Sequence, residues 1–155
     1  GGMRAGTENV AGIGGFGKAV ELRQGPSAAR ERAVMGRLRD RLEAGVTAAV
    51  ADTVVNGHRR ERVGNTSSIS FRGVGAEAII VGLDLDGVAI SSGSACTAGP
   101  TEPSHVLLAM GLEPRRAASA VRFSLGWGNT DAEIDRLIEL LPPLVARLRR
   151  ISTGA

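Results

Sequence analysis

The spacing of the apolar residues changes near residue 50, and this change restricts the chain to folds that combine helices with a small sheet. Before that point, Val34, Leu38 and Leu42 recur at every fourth position and arginines fill the other faces, which is typical of an amphipathic helix. After it come short stretches of strand character, at 53–57, 67–71, 88–90 and 120–125. The pattern predicts an α+β domain with a mixed or antiparallel sheet of three to four strands covered by helices.

Residues that satisfy free backbone groups mark the ends of several predicted helices. Thr7 is predicted to cap the first helix, and Ser27 is predicted to cap the long helix that runs to about residue 50. Thr130 and Glu133 have the spacing of a capping box, which places the start of the last helix. The pair Pro142-Pro143 is expected to kink that helix or to split it.

Length and composition limit the class of protein. The chain has 155 residues, of which 43% are hydrophobic, enough for one core, so it forms one domain or a piece of a larger protein. No apolar run approaches the roughly 20 residues of a membrane span and no signal peptide is visible, which predicts a cytoplasmic protein without membrane contact. The single cysteine excludes an internal disulfide framework.

The formal charge of +3 does not indicate a nucleic-acid-binding protein. The basic residues are almost all arginine, and they alternate with acidic residues, as in Arg39-Asp40-Arg41. Such interleaving is typical of a solvated helix face. We therefore expect no nucleic acid partner.

Cys96 lies in a stretch from Ser91 to Pro100 that consists of small, polar and turn-forming residues. A cysteine in general is a small buried hydrophobe, but these neighbours predict an exposed thiol on a mobile tether. The two histidines, His58 and His105, are not positioned by the sequence as a base for this thiol, so a protease-like Cys/His pair is not supported. His105 has the position of an ordinary first-turn residue of a helix.

Arg122 is a charged residue inside the apolar strand Val121-Arg122-Phe123. Alternation turns its side chain to the face opposite Val121 and Phe123. Two interpretations remain open at this point. Arg122 is either a surface or ion-paired structural residue, or a fixed group that recognises a carboxylate through two hydrogen bonds.

Three stretches, taken together and in this order, resemble a known family. They are residues 4–10 (RAGTENV), residues 91–97 with 102–107 (SSGSACT and EPSHVL), and residues 121–126 (VRFSLG). They resemble the C-terminal part of the pyridoxal-phosphate-dependent cysteine desulfurases, which have the class V aminotransferase fold. The resemblance extends over essentially the whole chain, and the cysteine stretch is similar to that of the long-loop branch.

The resemblance implies a role for three residues. Cys96 would be the catalytic nucleophile that takes sulfur from L-cysteine as a persulfide, with L-alanine as co-product, and also a transient iron-sulfur ligand shared with a partner. Arg122 would bind the substrate carboxylate. Thr7 would bind the cofactor phosphate of the neighbouring subunit in a homodimer. The implied sulfur acceptor is an iron-sulfur scaffold or a thiolation protein.

The resemblance also implies a division of the chain and an incomplete site. Residues 1–25 would be the terminal helical piece of the large pyridoxal phosphate domain, and residues 26–155 the small domain with its cysteine loop at 91–103. The Schiff-base lysine is missing, because Lys18 is the only lysine and its surroundings do not match. We therefore expect the isolated chain to bind no cofactor and to be inactive. The alternative is a sulfur-acceptor or scaffold-docking module that works without pyridoxal phosphate.

Overall fold

The computed structural model of the protein describes residues 6–92 and 103–152, and it confirms the α+β architecture. The elements follow one another as α1 (Val10–Gln24), α2 (Pro26–Ala49), β1 (Thr53–Asn56), β2 (Thr66–Phe71), α3 (Ala76–Leu85), β3 (Ser91–Ser92), α4 (His105–Ala109), α5 (Pro114–Ala118), β4 (Ala120–Ser124) and α6 (Asp131–Ser152). None of the helices in the described ranges combines the length and apolarity that a membrane crossing requires.

The four strands form one antiparallel sheet in the order β1-β2-β4-β3. Ile69 and Val121 are partners across β2 and β4, and both are fully buried. The rings of Phe71 and Phe123 meet edge to face on the same side, with centroids 6.5 Å apart. Alternation therefore gives the sheet one apolar face, which α2, α3 and α6 cover to form the main core.

Helices α2 and α6 pack against each other and cover the core on the side opposite the sheet. Leu38 and Leu42 are buried as the spacing predicts, but Val34 is 44% exposed and Met35 takes its place. The apolar stripe of α2 is thus displaced by one residue at this end. On the surface, Arg37 donates two hydrogen bonds, of 2.6 and 3.0 Å, to the carboxylate of Asp131 at the start of α6.

Two glycines allow the helices to approach α6 closely. A Cβ atom placed on Gly82 of α3 would lie 2.6 Å from Cδ1 of Leu144, and one placed on Gly45 of α2 would lie 2.9 Å from Cγ1 of Ile138. Ordinary carbon contacts are at least 3.4 Å. The absence of a side chain at these positions is therefore what permits the observed helix spacing.

The helix caps were predicted correctly in one case and wrongly in two. The capping box is confirmed, since the Thr130 amide donates to Glu133 over 2.8 Å and the Glu133 amide donates to Thr130 Oγ1 over 3.3 Å. Asn9, not Thr7, caps α1 by accepting from the amide of Gly12 at 2.9 Å. The prediction for Ser27 was also wrong, because α2 begins at Pro26 after Gly25 and has no side-chain cap.

Three further features differ from expectation. The strand predicted at 88–90 is wrong, because the paired residues on this edge are Ser91 and Ser92. Helix α6 continues through Pro142 and Pro143, so the pair does not split it. The short helix α5 has no counterpart in the sequence prediction; its first residue is Pro114, whose missing amide is not needed there.

Helix α1 lies outside the core. All of its residues are exposed, including Ile13 and Phe16, the latter at 73%. It contacts the start of α2 through polar groups: Arg23 pairs with Glu31 at 2.6 Å, and Arg32 donates to the Arg23 carbonyl at 2.8 Å. Helix α1 differs from the other long helices, α2 and α6, because it contains apolar residues but has no buried face.

Candidate functional site: a polar row across the sheet

The second face of the sheet carries a row of four polar residues, one from each strand. Asn56 of β1 is the partner of Ser68 on β2, Ser68 is the partner of Arg122 on β4, and Arg122 is the partner of Ser91 on β3. Because Ile69 and Val121 face the core, alternation turns these four residues to the opposite side. We call these four residues the polar row.

Arg122 is the only charged member of the polar row. It is half-buried, and its Nη2 donates to Ser91 Oγ over 3.3 Å. Its Nε is buried and has no hydrogen-bond partner among the described residues. No carboxylate in the described ranges forms a salt bridge with it. The guanidinium is therefore a positive group held on a central strand with donors that an anion can use.

Asn56 anchors the other end of the polar row. Its Nδ2 donates to Ser70 Oγ at 2.9 Å and to Ser68 Oγ at 3.2 Å, and its Oδ1 accepts from Arg116 Nη2 at 3.1 Å. Sequence reasoning missed both Asn56 and Arg116. Asn56 precedes Gly57, so it has the signature of a turn residue, and its partner Arg116 lies 60 positions away on the unpredicted helix α5.

The stretch that contains Cys96 begins next to the polar row. Ser91 and Ser92 form β3, and residues 93–102 follow. Cys96 and its predicted roles as nucleophile and iron-sulfur ligand fall outside the described residues. His105 begins α4 and is exposed, as expected for a first-turn residue. In the described ranges no cluster of three or more histidine, cysteine, aspartate or glutamate side chains is arranged to hold a metal ion.

Thr7 and Lys18 lie with α1, at the exposed end of the chain. Thr7 is exposed just before the Asn9 cap, which leaves its hydroxyl accessible to a phosphate from outside. Lys18 Nζ forms an ion pair with Glu21 at 2.9 Å, and both side chains are well exposed. A lysine that forms a Schiff base is normally desolvated, so the surroundings of Lys18 do not fit that role. The phosphate-binding role of Thr7 stays a prediction, whereas the surroundings of Lys18 do not fit the centre of a pyridoxal site.

A second group of buried polar residues lies on the core side of the sheet and has a structural character. Arg62 donates two hydrogen bonds of 2.7 Å to Glu43, and Ser67 donates a third of 2.6 Å. Burial by itself would raise the pKa of Glu43, but the hydrogen bonds from Arg62 and Ser67 outweigh it and hold the pKa below its usual value. The carboxylate of Glu43 is thus paired with Arg62, whose Nε alone has no hydrogen-bond partner among the described residues, and the group joins α2 to the sheet.

Comparison with known proteins gives consistent results for sequence and structure. The model of the aminotransferase class-V family matches residues 2–137. The chain is 50% identical over 153 residues to cysteine desulfurase 2 of Trichormus variabilis, a match that covers 97% of this chain and 37% of that protein. It is 47% identical over 151 residues to cysteine desulfurase NifS of Azotobacter vinelandii, again covering 97% of this chain and 37% of that protein.

Among solved structures, the chain is similar to a NifS-like protein from Rickettsia africae. The TM-score is 0.78 at 31% sequence identity, and the superposition covers 92% of this chain and 36% of the other. The chain thus spans about 37% of the length of the curated relatives that it matches.

Proposed function

Because the chain belongs to the aminotransferase class-V family, we propose that it is the C-terminal part of a cysteine desulfurase. The complete protein would take sulfur from L-cysteine and release L-alanine. Apart from the similarity to known proteins, the observation that supports this proposal is the polar row. Arg122 is half-buried, has no carboxylate partner in the described ranges, and lies next to β3, the strand that precedes Cys96 in the chain.

We propose the domain division at Gly25. Residues 1–25 form the terminal helix of a large domain, and residues 26–155 form the small domain. Two observations support this division: α1 leaves its apolar residues exposed, and a Gly-Pro junction separates it from α2. The large domain holds pyridoxal phosphate, which supplies the electron sink for carbon-sulfur bond cleavage. Thr7 donates a hydrogen bond to the cofactor phosphate of the neighbouring subunit in a homodimer.

Arg122 binds the carboxylate of L-cysteine. The planar guanidinium matches the two oxygens of a carboxylate, and its position on a central strand fixes the site relative to the core. The partly buried surroundings strengthen this contact, because fewer water molecules compete for the same donors. Arg122 thereby sets the orientation of the substrate and the place of its sulfur atom.

Cys96 receives the sulfur. Its thiolate forms a bond to the sulfur of the substrate while the bond between that sulfur and Cβ breaks. The bonding electron pair stays with Cβ, and a proton added there completes L-alanine. Cys96 is left as a persulfide, from which an iron-sulfur scaffold or a thiolation protein takes the terminal sulfur. Cys96 also serves as a transient iron-sulfur ligand shared with that partner.

The role of Cys96 is tested in the complete enzyme, with residues 1–155 joined to the large domain. Replacement Cys96→Ala is expected to lower L-alanine formation by at least about a hundredfold, because the sulfur acceptor is lost. The visible absorption of bound pyridoxal phosphate should remain, which serves as the control for folding. Undiminished turnover by this variant would remove Cys96 from the mechanism.

A second function is favoured by the surroundings of Lys18, which is exposed and paired with Glu21. In this alternative the chain is a sulfur acceptor or scaffold-docking module that needs no pyridoxal phosphate. A cysteine desulfurase from another source, incubated with this chain and L-cysteine, would then transfer persulfide to Cys96. Mass spectrometry of the cysteine peptide detects the added sulfur, and unmodified Cys96 after such incubation would eliminate the alternative.

A further inference from the structure

Ser91 is the member of the polar row that forms a hydrogen bond with the guanidinium of Arg122. It lies on the edge strand β3, opposite Arg122 in the register. Its hydroxyl donates to the carbonyl of Ser92 at 3.1 Å and accepts from Arg122 Nη2 at 3.3 Å. A serine hydroxyl has one proton and two lone pairs. The Ser91 hydroxyl donates its proton to the Ser92 carbonyl and accepts the Arg122 N-H with a lone pair, so both contacts can exist at once.

Within the part of the chain that the structure describes, few other groups fix the Arg122 side chain. Nε is buried but has no hydrogen-bond partner, and Ser91 Oγ is the one hydrogen-bond acceptor that the guanidinium contacts within the described ranges. The strand determines where Cα and Cβ lie, but the flexible arginine side chain allows the guanidinium plane to rotate. Among the described residues, the contact with Ser91 is therefore the feature that sets the direction of this plane.

We propose that Ser91 is a positioning residue that orients the Arg122 guanidinium for two-point binding of the L-cysteine carboxylate. This inference rests on the proposed role of Arg122. A bidentate contact requires both N-H groups to point at the two oxygens at once, so rotation of the plane breaks one of the two bonds. Ser91 holds Nη2 at one edge and so leaves the remaining donors directed toward the substrate.

The position of Ser91 in the chain adds a second consequence. Ser91 is separated from the first residue of the cysteine-bearing stretch, residues 93–102, by Ser92 alone. The hydrogen bond to Arg122 therefore connects the residue that recognises the substrate carboxylate with the strand that leads to the nucleophile. Recognition of the substrate and transfer of its sulfur are therefore connected by the hydrogen bond between Ser91 and Arg122 as well as by the pairing of β3 with β4.

The test uses steady-state kinetics of the complete enzyme. Ser91→Ala is expected to raise KM for L-cysteine about fivefold and to change kcat by less than about twofold, as expected for loss of one hydrogen bond that orients a binding group. Ser91→Thr keeps the hydroxyl and should restore KM to within about twofold of the wild-type value. Ser124→Ala is the matched control, because Ser124 is an exposed serine on β4, two residues from Arg122.

A double-mutant comparison separates this inference from the proposed function. In an Arg122→Lys background, which keeps the charge but removes the planar fork, Ser91→Ala should have no further effect on KM. An unchanged KM for Ser91→Ala, or an equal effect in both backgrounds, would overturn the positioning role. If Arg122→Lys itself leaves KM and kcat unchanged, the assignment of Arg122 to the carboxylate fails. If Arg122→Lys raises KM and Ser91→Ala does not, only the inference about Ser91 fails.

Discussion

Gly82 is the point at which α3 lies closest to α6, and its replacement by alanine tests how tightly the core is packed. A methyl group there would lie 2.6 Å from Cδ1, 2.9 Å from Cδ2 and 3.3 Å from Cγ of Leu144. Leu144 is only 5% exposed and belongs to the main core. It therefore has little room to move away, and either its rotamer or the separation of the two helices must change.

The size of the effect follows from two opposing contributions. Alanine is favoured over glycine inside a helix by about 1 kcal/mol. Overpacking of a core costs about 1–3 kcal/mol. Three atoms of Leu144 are closer than an ordinary contact, so the cost should lie in the upper half of that range. Gly82→Ala is thus expected to lower the free energy of unfolding by about 1–2 kcal/mol.

The assay is urea unfolding of the 155-residue chain, followed by circular dichroism. Gly36→Ala in α2 is the matched control, because the nearest atom to a methyl group there is the Gly64 carbonyl oxygen at 4.0 Å. This control should raise the free energy of unfolding by about 0.5–1 kcal/mol.

The decisive comparison is made in a Leu144→Ala background, where the space beside Gly82 is open. There, Gly82→Ala should raise the free energy of unfolding by about 1 kcal/mol instead of lowering it. An equal loss of stability with and without the Leu144 side chain would refute the packing argument.

Two further predictions concern stability. Glu43→Gln removes the partner of Arg62, whose side chain is 14% exposed, and should cost about 3 kcal/mol near neutral pH by urea unfolding. The pKa of Glu43 is held below its usual value of 4.5, so the stabilisation is complete above that pH and is lost as the pH falls through the lower folded-state pKa. The difference between variant and wild type should therefore shrink as the pH is lowered below 4.5, and a constant difference would contradict this. Under the proposed domain division, α1 would be buried only in the complete enzyme. Phe16→Ser should then change the unfolding free energy of the 155-residue chain by less than about 0.5 kcal/mol, yet destabilise the complete enzyme by about 3 kcal/mol in thermal or urea unfolding. Equal effects would contradict the domain division.

Features encoded within a few residues could be predicted from the sequence. The capping box depends only on Thr130 and Glu133, and the inward direction of Ile69 and Phe71 follows from alternation within one strand. The α+β class follows from the same local patterns. These predictions succeeded because the interactions that determine them lie within a single element.

Features that depend on competition between neighbours or on distant contacts could not be predicted. Asn9 is two residues beyond Thr7, and asparagine is the more strongly preferred cap, so the start of α1 depends on a small difference between two neighbouring candidates. The apolar stretch at 88–90 suits a strand, but its residues pack against the core without pairing, and pairing begins at Ser91. The contact between Asn56 and Arg116 requires knowledge of the fold, because 60 positions separate the two residues.

Within the described residues, the edge strand β3 pairs with β4 at Ser91, opposite Arg122, and at Ser92, opposite Val121. An edge strand is hydrogen-bonded on one side, so its amide hydrogens can exchange with solvent by local opening at a free energy below that of global unfolding. Strand β4, paired on its other side along its whole length with β2, keeps its protection during such an opening. Exchange at Ser91 and Ser92 should therefore be faster than exchange along β4, and Arg122 remains paired with β2 while the edge of the sheet opens.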